Sequence, residues 1–315
     1  MSFDFCKSNN IVIVKSPCIV IAGGDNRKEE GGSKPLTSVE VISSFSREKM
    51  ELPSLPEEIT QDVISTKCSM FIHDGALMVF ACTGTYSFLK NPWKCFEFNN
   101  GKWKEHSTLK RNRSCSTTVA TDKGTFIFGG NESHKTFEYL PIGSQKWKNG
   151  KKGQLPGGFF YGCAIQIKNK HEILLINGIT DKILSFNINS HTSQELPFRL
   201  NFQREFPACA YIPGTNKILV TGGISGAIHQ SSCEIIDTED GTVKMASDMN
   251  YARCTHGVGI INVNGEDRLA VFGGSGYGGR RHDSIELYNA KTQKWELTED
   301  FKLNVPRSGF GFVNI

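Results

Sequence analysis

Short apolar runs that end in glycine recur six times along the chain. They are CIVIAGG at 18–24, MVFACTG at 78–84, TFIFGG at 125–130, ILLING at 173–178, ILVTGG at 218–223 and LAVFGG at 269–274. Their closing glycines, at 24, 84, 130, 178, 223 and 274, lie 45 to 60 residues apart. A repeat of this length indicates an array of similar units. β-Branched and aromatic residues fill the runs, so we predict an all-β chain.

Each unit contains further strand signals in a fixed order. A glutamate between apolar residues follows five of the six runs, at Glu40, Glu97, Glu138, Glu234 and Glu286, whereas the fourth unit has Leu184-Ser185-Phe186. A tryptophan opens the last strand in three units, at Trp103, Trp147 and Trp295. Another strand, such as RSCSTTVA at 113–120, precedes the next glycine pair. The pattern predicts four antiparallel strands per unit.

These motifs together resemble the kelch repeat, and the resemblance covers nearly the whole chain. It implies a six-bladed kelch-type β-propeller with four antiparallel strands per blade, in which residues 1–315 form a single domain. Closing the ring removes most exposed strand edges. The segment PRSGFGFVNI at 306–315 looks like the first strand of another unit. We expect it to supply the innermost strand of blade 1, the alternative being the N-terminal run Ile11–Val14.

Composition and charge narrow the classes of partner. The 36 basic and 32 acidic side chains give a net charge of +4, too balanced to indicate nucleic acid. No uncharged apolar run is long enough to span a membrane, and the N-terminus lacks a secretory pattern, so we expect a cytoplasmic, monomeric protein. The ten cysteines form no CxxC or zinc-finger spacing. We therefore expect reduced thiols and neither metal nor cofactor.

The propeller topology assigns each loop to one of two faces. Nine of the eleven arginines fall in or beside the loops that follow the glycine pairs or connect successive blades. Arginine with exposed aromatic residues is typical of interface centres. We predict that this face binds an acidic peptide through Arg111, Arg113, Arg204, Arg253, Arg280, Arg281, Arg307, Tyr86, Trp93, Tyr161, Tyr277 and His256.

Simpler roles for some of these residues stay open. Arg113, Arg253 and Arg307 each begin an inner strand and are candidates for structural ion pairs, and Arg280 and Arg281 could pair with Glu29 and Glu30. Cysteines also recur near the inner strands, at Cys68, Cys115, Cys163, Cys209 and Cys254. They are either small apolar residues near a crowded axis or a ring of thiols that reacts with oxidants or metals.

The kelch resemblance implies a non-enzymatic interaction module. Such propellers serve in ubiquitin-ligase substrate adaptors and in actin-associated proteins, so actin or a ubiquitin-ligase component is a candidate partner. The alternative is an enzyme of the kelch type, such as a sugar isomerase that acts at the central pocket. Fold alone does not decide between them.

Overall fold

The computed structural model describes residues 3–7, 10–14, 18–27, 33–43, 50–56, 68–82, 93–111, 113–150 and 155–315. Six antiparallel sheets of four strands each form around a central channel, with the strands of each sheet adjacent in order from the channel outwards. The chain is a six-bladed β-propeller, as the sequence predicts. Within these described ranges, no helix has the length and apolar character needed to cross a membrane.

The strand bounds follow the predicted repeats. From the inner to the outer strand, the blades consist of Gly311–Asn314, Cys18–Ala22, Val39–Ser43 and Met50–Leu52 (blade 1), Ser69–His73, Ala76–Cys82, Trp93–Asn99 and Lys102–Thr108 (blade 2), Thr117–Thr121, Gly124–Phe128, Phe137–Pro141 and Lys148–Asn149 (blade 3), Cys163–Gln166, Glu172–Ile176, Lys182–Asn187 and Thr192–Arg199 (blade 4), Ala208–Tyr211, Lys217–Thr221, Cys233–Asp237 and Val243–Ala246 (blade 5), and Gly257–Val263, Glu266–Phe272, Ser284–Asn289 and Lys294–Lys302 (blade 6).

The described residues also form three short hairpins outside the blades. They are Phe3–Lys7 with Asn10–Val14, Asp25–Arg27 with Ser33–Pro35, and Ile224–Ser225 with Ile228–His229. A 3-10 turn covers Tyr277–Gly279 in the loop of blade 6.

The C-terminal strand closes the ring. Gly311–Asn314 pairs with Cys18–Ala22 as the innermost strand of blade 1, with Phe312 opposite Ile21. Beyond that strand, the Ile315 N–H donates to the Cys18 carbonyl at 2.9 Å, and the Cys18 N–H donates to the Ile315 carbonyl at 3.0 Å. The N-terminal strand Asn10–Val14 pairs with Phe3–Lys7 instead. The prediction of C-terminal closure is therefore confirmed.

Most of the core lies between neighbouring blades. The second strand of blade 1, Cys18–Ala22, is buried along its whole length. One cluster joins Phe126 and Phe137 of blade 3 to Phe186 of blade 4, and the Phe137 and Phe186 rings meet edge to face at 4.8 Å between centroids. Large rings can fill the space between two twisted sheets, which neither sheet could bury alone. Each blade is thus stabilised by its neighbours.

The recurring tryptophans also fill the space between neighbouring blades, near the outer strands. The Trp147 indole N–H donates to Ser107 Oγ of blade 2 at 3.1 Å, and that of Trp295 donates to the Ser247 carbonyl after blade 5 at 3.2 Å. The Trp103 indole donates to the Pro53 carbonyl after blade 1 at 2.9 Å. Each tryptophan therefore spans the gap to the preceding blade and satisfies its one polar atom there.

The glycine pairs allow neighbouring backbones to come together. Gly129 has φ of +66°, and a Cβ on this residue would lie 1.7 Å from the carbonyl oxygen of Phe159 in the linker to blade 4. Only glycine combines this backbone conformation with such close contact. The glycine that ends a second strand is thus needed where one blade abuts the next.

Candidate partner-binding face and central channel

The described connections between second and third strands, and the described linkers between blades, lie on one face of the propeller. We call it the loop face; its fully described segments include 129–136, 177–181, 222–232 and 273–283, and the linkers 200–207, 247–256 and 303–310. The antiparallel order of the strands puts these segments on one side and the short hairpin turns on the other. Most of the predicted site residues lie on or just beneath this face.

Four of the predicted arginines are buried beneath the loop face and do not face a partner. Their side chains are 0% exposed, and each forms an ion pair with the third-strand glutamate of its own blade. The pairs are Arg113 with Glu138 at 2.9 Å, Arg204 with Glu234 at 2.9 Å, Arg253 with Glu286 at 2.8 Å and Arg307 with Glu40 at 2.5 Å. This corrects the binding role predicted for these arginines and establishes the structural alternative.

Each buried arginine also binds the backbone of its blade. The Arg113 guanidinium donates to the carbonyls of Gly129 and Thr136 at 2.7 and 3.0 Å and to Thr136 Oγ1 at 3.0 Å. Arg253 makes the corresponding bonds to the carbonyls of Gly273 and Ser284. Burial lowers the pKa of the Arg253 guanidinium, and the adjacent Glu286 carboxylate opposes that shift. The arginine thus fixes the loop that follows the glycine pair.

The paired glutamates hold the linkers between blades. Glu138 accepts the backbone N–H of Lys110 at 2.9 Å, and Glu286 accepts that of Asn250 at 2.6 Å. In both cases the donor lies three residues before the arginine. A carboxylate that accepts backbone N–H groups as well as an arginine is well compensated for its burial. The ion pairs therefore set the geometry of the loop face from below.

Five backbone hydrogen bonds link six residues around the mouth of the channel. Each N–H donates to the carbonyl of the preceding blade, from Tyr161 to Cys115 (3.2 Å), Phe206 to Tyr161 (2.6 Å), Thr255 to Phe206 (3.2 Å), Gly309 to Thr255 (3.1 Å) and Cys68 to Gly309 (3.2 Å). All of them except Cys68 have positive φ, between 49° and 65°. Non-glycine residues adopt this conformation at a cost of about 1–3 kcal/mol each. We call these six residues the mouth ring.

Aromatic side chains occupy one side of the mouth ring. The Tyr161 ring lies 4.8 Å from Phe160 and 4.5 Å from Phe206, centroid to centroid. Burial raises the pKa of the Tyr161 hydroxyl, and Cys115 and Glu205 raise it further. Tyr161 is therefore part of the loop face, as predicted, in a group with two phenylalanines.

The remaining predicted contact residues differ in their exposure. Arg111 and Arg280 are exposed, and Tyr277 is 89% exposed in the loop of blade 6. Trp93 is buried in the third strand of blade 2 and stacks on Phe80 at 4.8 Å, so the prediction that it faces a partner is wrong. Tyr86 lies outside the described residues.

Arg281 joins blade 6 to blade 1. Its guanidinium donates to both carboxylate oxygens of Asp25, at 3.1 and 2.7 Å, and Ser308 Oγ donates to Asp25 Oδ1 at 2.7 Å. The sequence predicted a partner for this arginine in the first loop of blade 1, but proposed Glu29 and Glu30, which lie outside the described residues. Asp25 is the partner, and Arg281 is already engaged within the ring.

The structure adds three exposed side chains that the sequence analysis did not select. Phe202 is 50% exposed, Ile228 is 65% exposed and Tyr251 is 39% exposed. Phe202 and Tyr251 each lie two residues before a buried arginine, with the guanidinium carbon 5.9 Å from the ring centroid. The sequence could have indicated these two residues, because a large aromatic side chain lies two positions before both Arg204 and Arg253.

The central channel is lined by the inner strands and has a cavity volume of about 220 Å³. Its walls are small, hydroxylic or thiol side chains with some apolar ones, including Cys68, Ser69, Met70, Ser116, Thr117, Thr118, Cys163, Ala164, Cys209, Thr255 and Phe312. His256 also lines it, and its Nε2 shares a hydrogen bond with Thr221 Oγ1 at 2.7 Å. His256 thus belongs to the channel wall and not to the outer rim.

The repeated cysteines do not form a ring of equivalent thiols. Cys163 and Cys209 line the channel, Cys68 lines the channel and belongs to the mouth ring, Cys115 belongs to the mouth ring, and Cys254 is buried just before Thr255 of that ring. Across the described part of the chain, no three His, Cys, Asp or Glu side chains are grouped so that they could hold a metal ion. Most of these cysteines fit the simpler role of small residues near a crowded axis.

Comparison with known proteins supports the architecture alone. No protein-family model matches the sequence, and no curated protein matches it. A solved structure titled "Structure of YjhT" aligns with a TM-score of 0.66 and 12% sequence identity, over 91% of this chain and 99% of that chain. At this low identity, the similarity shows a shared six-bladed propeller fold and nothing finer.

Proposed function

We propose that this chain is a kelch-type propeller that acts as a protein-recognition module and binds its partner on the loop face of blades 5 and 6. The observation that carries the proposal is a group of four exposed apolar or aromatic side chains: Phe202, Ile228, Tyr251 and Tyr277. All four lie in loops or linkers of these two adjacent blades. Exposed aromatic residues of this kind are typical of binding hot spots.

The rigidity beneath these side chains supports the same proposal. Phe202 and Tyr251 lie above Arg204 and Arg253, which are fixed by buried ion pairs. The Tyr251 ring also stacks on His282 at 5.3 Å. Side chains that are ordered before binding lose less conformational entropy when a partner covers them.

Fewer of the predicted arginines are available to bind an acidic segment of the partner. Because four arginines are neutralised internally, the exposed guanidinium groups among the predicted residues are those of Arg111 and Arg280. Arg280 lies three residues from Tyr277, so an acidic residue of the partner could pair with it at the edge of the apolar group. Such an ion pair would favour orientation and association rate more than affinity.

Enzymatic activity at the central channel has less support than recognition. A sugar isomerase needs groups that donate and accept protons at the substrate. The described residues that line the channel include His256 and cysteines but no carboxylate, lysine or arginine, and His256 already bonds to Thr221. The loop face offers more specific chemistry than the channel does.

The decisive test compares two pairs of exposed large side chains from the loop face and from the outer strands of the same two blades. Phe202→Ala with Tyr277→Ala removes part of the loop-face group, whereas Met245→Ala with Leu297→Ala removes side chains that are 47% and 46% exposed on outer strands. Purified proteins are immobilised, and bound proteins are quantified by mass spectrometry. We expect a specific partner to be lost at least about 10-fold in the loop-face variant and kept in the outer-strand variant.

Two results would contradict the proposal. One is a partner that both variants retain, and the other is a partner that both lose equally. The single variant Arg280→Ala, without the other substitutions, tests separately whether the partner binds through an acidic segment. The affinity of this variant should depend less on salt than that of the unmodified protein.

A further inference from the structure

A second cavity lies between blades 2 and 3, on the side of the propeller that carries the short hairpin turns. We call this side the turn face; it is opposite the loop face. The cavity has a volume of about 210 Å³. Imidazole, carboxylate, hydroxyl, amide and apolar groups line it, from His73, Asp74, Ala76, Met78, Glu97, His106, Gly143, Ser144 and Gln145. None of the residues proposed for recognition on the loop face contributes to it.

His73 is buried in the wall of this cavity, and one of its two ring nitrogens lacks a hydrogen bond. The side chain is 4% exposed, and its Nδ1 shares a hydrogen bond with Thr125 Oγ1 of blade 3 at 3.0 Å. Nε2 forms no hydrogen bond of ordinary geometry with any described residue. The Pro141 carbonyl lies near the ring, but it already accepts the Ser144 N–H at 3.1 Å. A buried polar atom of this kind, in the wall of a cavity, indicates that a ligand completes its bonding.

Two carboxylates give the cavity a negative charge. Glu97 is half-buried and Asp74 is exposed at the rim. Asp74 Oδ2 accepts the Gly143 N–H at 3.2 Å, and Glu97 Oε1 accepts a bond from the Asn99 amide at 3.2 Å. A carboxylate offers about four acceptor positions, so both can accept further donors from a ligand. The described lining contains no lysine or arginine that would repel a cation.

The strand that carries His106 is distorted so that this second imidazole reaches the cavity. His106 is the extra residue of a β-bulge, because its neighbours Glu105 and Ser107 lie opposite consecutive residues of the third strand. A bulge changes the direction of a side chain. The His106 and His73 rings lie 6.4 Å apart, centroid to centroid. Burial, together with the neighbouring His106, lowers the pKa of His73, so the His73 imidazole is neutral at neutral pH.

The arrangement suits an organic cation better than a metal ion. Metal ligands lie about 2.0–2.6 Å from the ion. No three His, Cys, Asp or Glu side chains of the described residues converge closely enough for that. The acceptors are instead spread around a cavity whose wall includes Ala76 and the buried Met78 thioether. An alkylammonium group has N–H donors for the acceptors and a carbon chain for the apolar wall.

We propose that this cavity binds an alkylammonium group, which lysine side chains and free polyamines both carry. The ammonium donates to His73 Nε2 and to the carboxylates of Asp74 and Glu97, and its carbon chain contacts Met78. In this complex the His73 proton is on Nδ1 and is donated to Thr125 Oγ1. The site does not depend on the partner-binding proposal, since it lies on the turn face.

The test is a titration of the full chain with n-butylammonium chloride, followed by NMR of the histidine side-chain nitrogens. The chain has eight histidines, so the His73 signals are assigned with the variant His73→Gln. We expect the Nε2 signal of His73 to move and to saturate, because this nitrogen gains a donor. His191, half-buried in a turn of blade 4, is the internal control and should not respond. Tetramethylammonium chloride has the same charge but no N–H group, and should not shift the His73 signal.

Isosteric variants test the two carboxylates. Glu97→Gln and Asp74→Asn should each weaken butylammonium binding at least about 10-fold, because each removes a charge-assisted hydrogen bond. Asp122→Asn is the matched control. It removes the same charge from a neighbouring turn of blade 3, where the carboxylate lies outside the cavity lining and 3.9 Å from Lys123. This variant should bind butylammonium as the unmodified protein does.

Two further probes identify the source of the ammonium group. Nα-acetyl-lysinamide represents a lysine of another protein, and spermidine represents a free polyamine. A lysine amide that binds at least as tightly as spermidine would assign the site to protein lysines, and weaker binding would assign it to polyamines. An unmoved His73 signal, an equal response to tetramethylammonium, or the same affinity in Asp122→Asn as in the two cavity variants would overturn the proposal.

Discussion

Blades 4 and 6 fill equivalent positions beneath the loop face with different side chains, an apolar pair in blade 4 and an ion pair in blade 6. In blade 6, Arg253 lies two residues before the mouth-ring residue Thr255 and pairs with Glu286. In blade 4, the residue two before Tyr161 is Phe159, which is 0% exposed, and Leu184 takes the place of the glutamate. Strand register establishes the second equivalence, because Glu286 lies opposite Val271 and Leu184 lies opposite Leu175.

The comparison shows that this buried position beneath the loop face must be filled by side chains, but that those side chains need not be charged. Phe159 and Leu184 belong to the apolar cluster between blades 3 and 4. A buried ion pair loses solvation energy that its attraction only partly returns, so an apolar pair of similar volume is often equally stable. A single charge left alone in the same position is strongly unfavourable. Arginine and glutamate must therefore be gained or lost together.

The largest effect is expected when one charge of blade 6 is removed. Glu286→Leu leaves Arg253 buried without a counter-charge and removes the acceptor of the Asn250 N–H. We expect the free energy of unfolding to fall by about 3–5 kcal/mol, measured by equilibrium urea denaturation. Glu97→Leu is the control, since Glu97 is half-buried in blade 2 and bonds to Asn99 at 3.2 Å. A similar loss in both variants would contradict a special role for the buried pair.

A smaller effect is expected on the pH dependence of the free energy of unfolding, through His282 of blade 6. Burial, together with the nearby charges of Arg253 and Arg280, lowers the pKa of His282 to about 4. In the unfolded chain the pKa returns to about 6.5, so the unfolded state takes up the proton first as the pH falls. The contribution of His282 to stability is present above pH 6.5 and is lost between pH 6.5 and 4.

The measurement compares the unmodified protein with His282→Gln. Between pH 7.5 and pH 5, the unmodified protein should lose about 1–2 kcal/mol more free energy of unfolding than the variant. Other histidines contribute equally to both proteins and cancel in the difference. Parallel pH profiles would show that His282 protonates as readily in the folded state as in the unfolded one.

The smallest net effect is expected when blade 6 is given the chemistry of blade 4. The double variant Arg253→Phe with Glu286→Leu should lie within about 1–2 kcal/mol of the unmodified protein. The remaining loss reflects the carbonyls of Gly273 and Ser284, which no longer receive the guanidinium bonds. Chemical denaturation of both single variants and the double variant completes the cycle. Additive losses would show that blade 4 owes its stability to something other than this exchange.

The repeat allowed the fold to be predicted, because the glycine runs, the tryptophans and four of the five glutamates recur in register. Glu97 of the second unit does not: Lys94 lies opposite Ala81, as Glu286 lies opposite Val271, so a lysine takes the place of the glutamate there. The fourth unit was misaligned by one residue. Sequence pattern suggested Ser185 in the place of the glutamate, whereas Leu184 occupies it. Side chains alternate between the two faces of a strand, so a shift of one residue exchanges the faces. Without the glutamate, that strand carried no marker of its register.

The candidate site was predicted less well because topology assigns a residue to a face but not to a depth. Arg113, Arg204, Arg253 and Arg307 lie at the loop face as predicted, yet their guanidinium groups point into the blade. The sequence did contain a sign of this. Units 1, 3, 5 and 6 carry both the arginine and the glutamate, unit 4 lacks both, and unit 2 carries Glu97 without an arginine before its inner strand. Two charges that are present or absent together in five of six units are typical of partners.

Closure by the last strand also has a consequence for the order of synthesis. The first blade begins with Cys18–Ala22, but its innermost strand, Gly311–Asn314, leaves the ribosome after every other strand of the ring. Until then, the inner edge of Cys18–Ala22 lacks its hydrogen-bonding partner, and the Arg307–Glu40 pair cannot form. An unpaired edge of this kind can pair with other chains. The blade that is started first is therefore completed last, and its inner edge stays open until the other five blades have been synthesised.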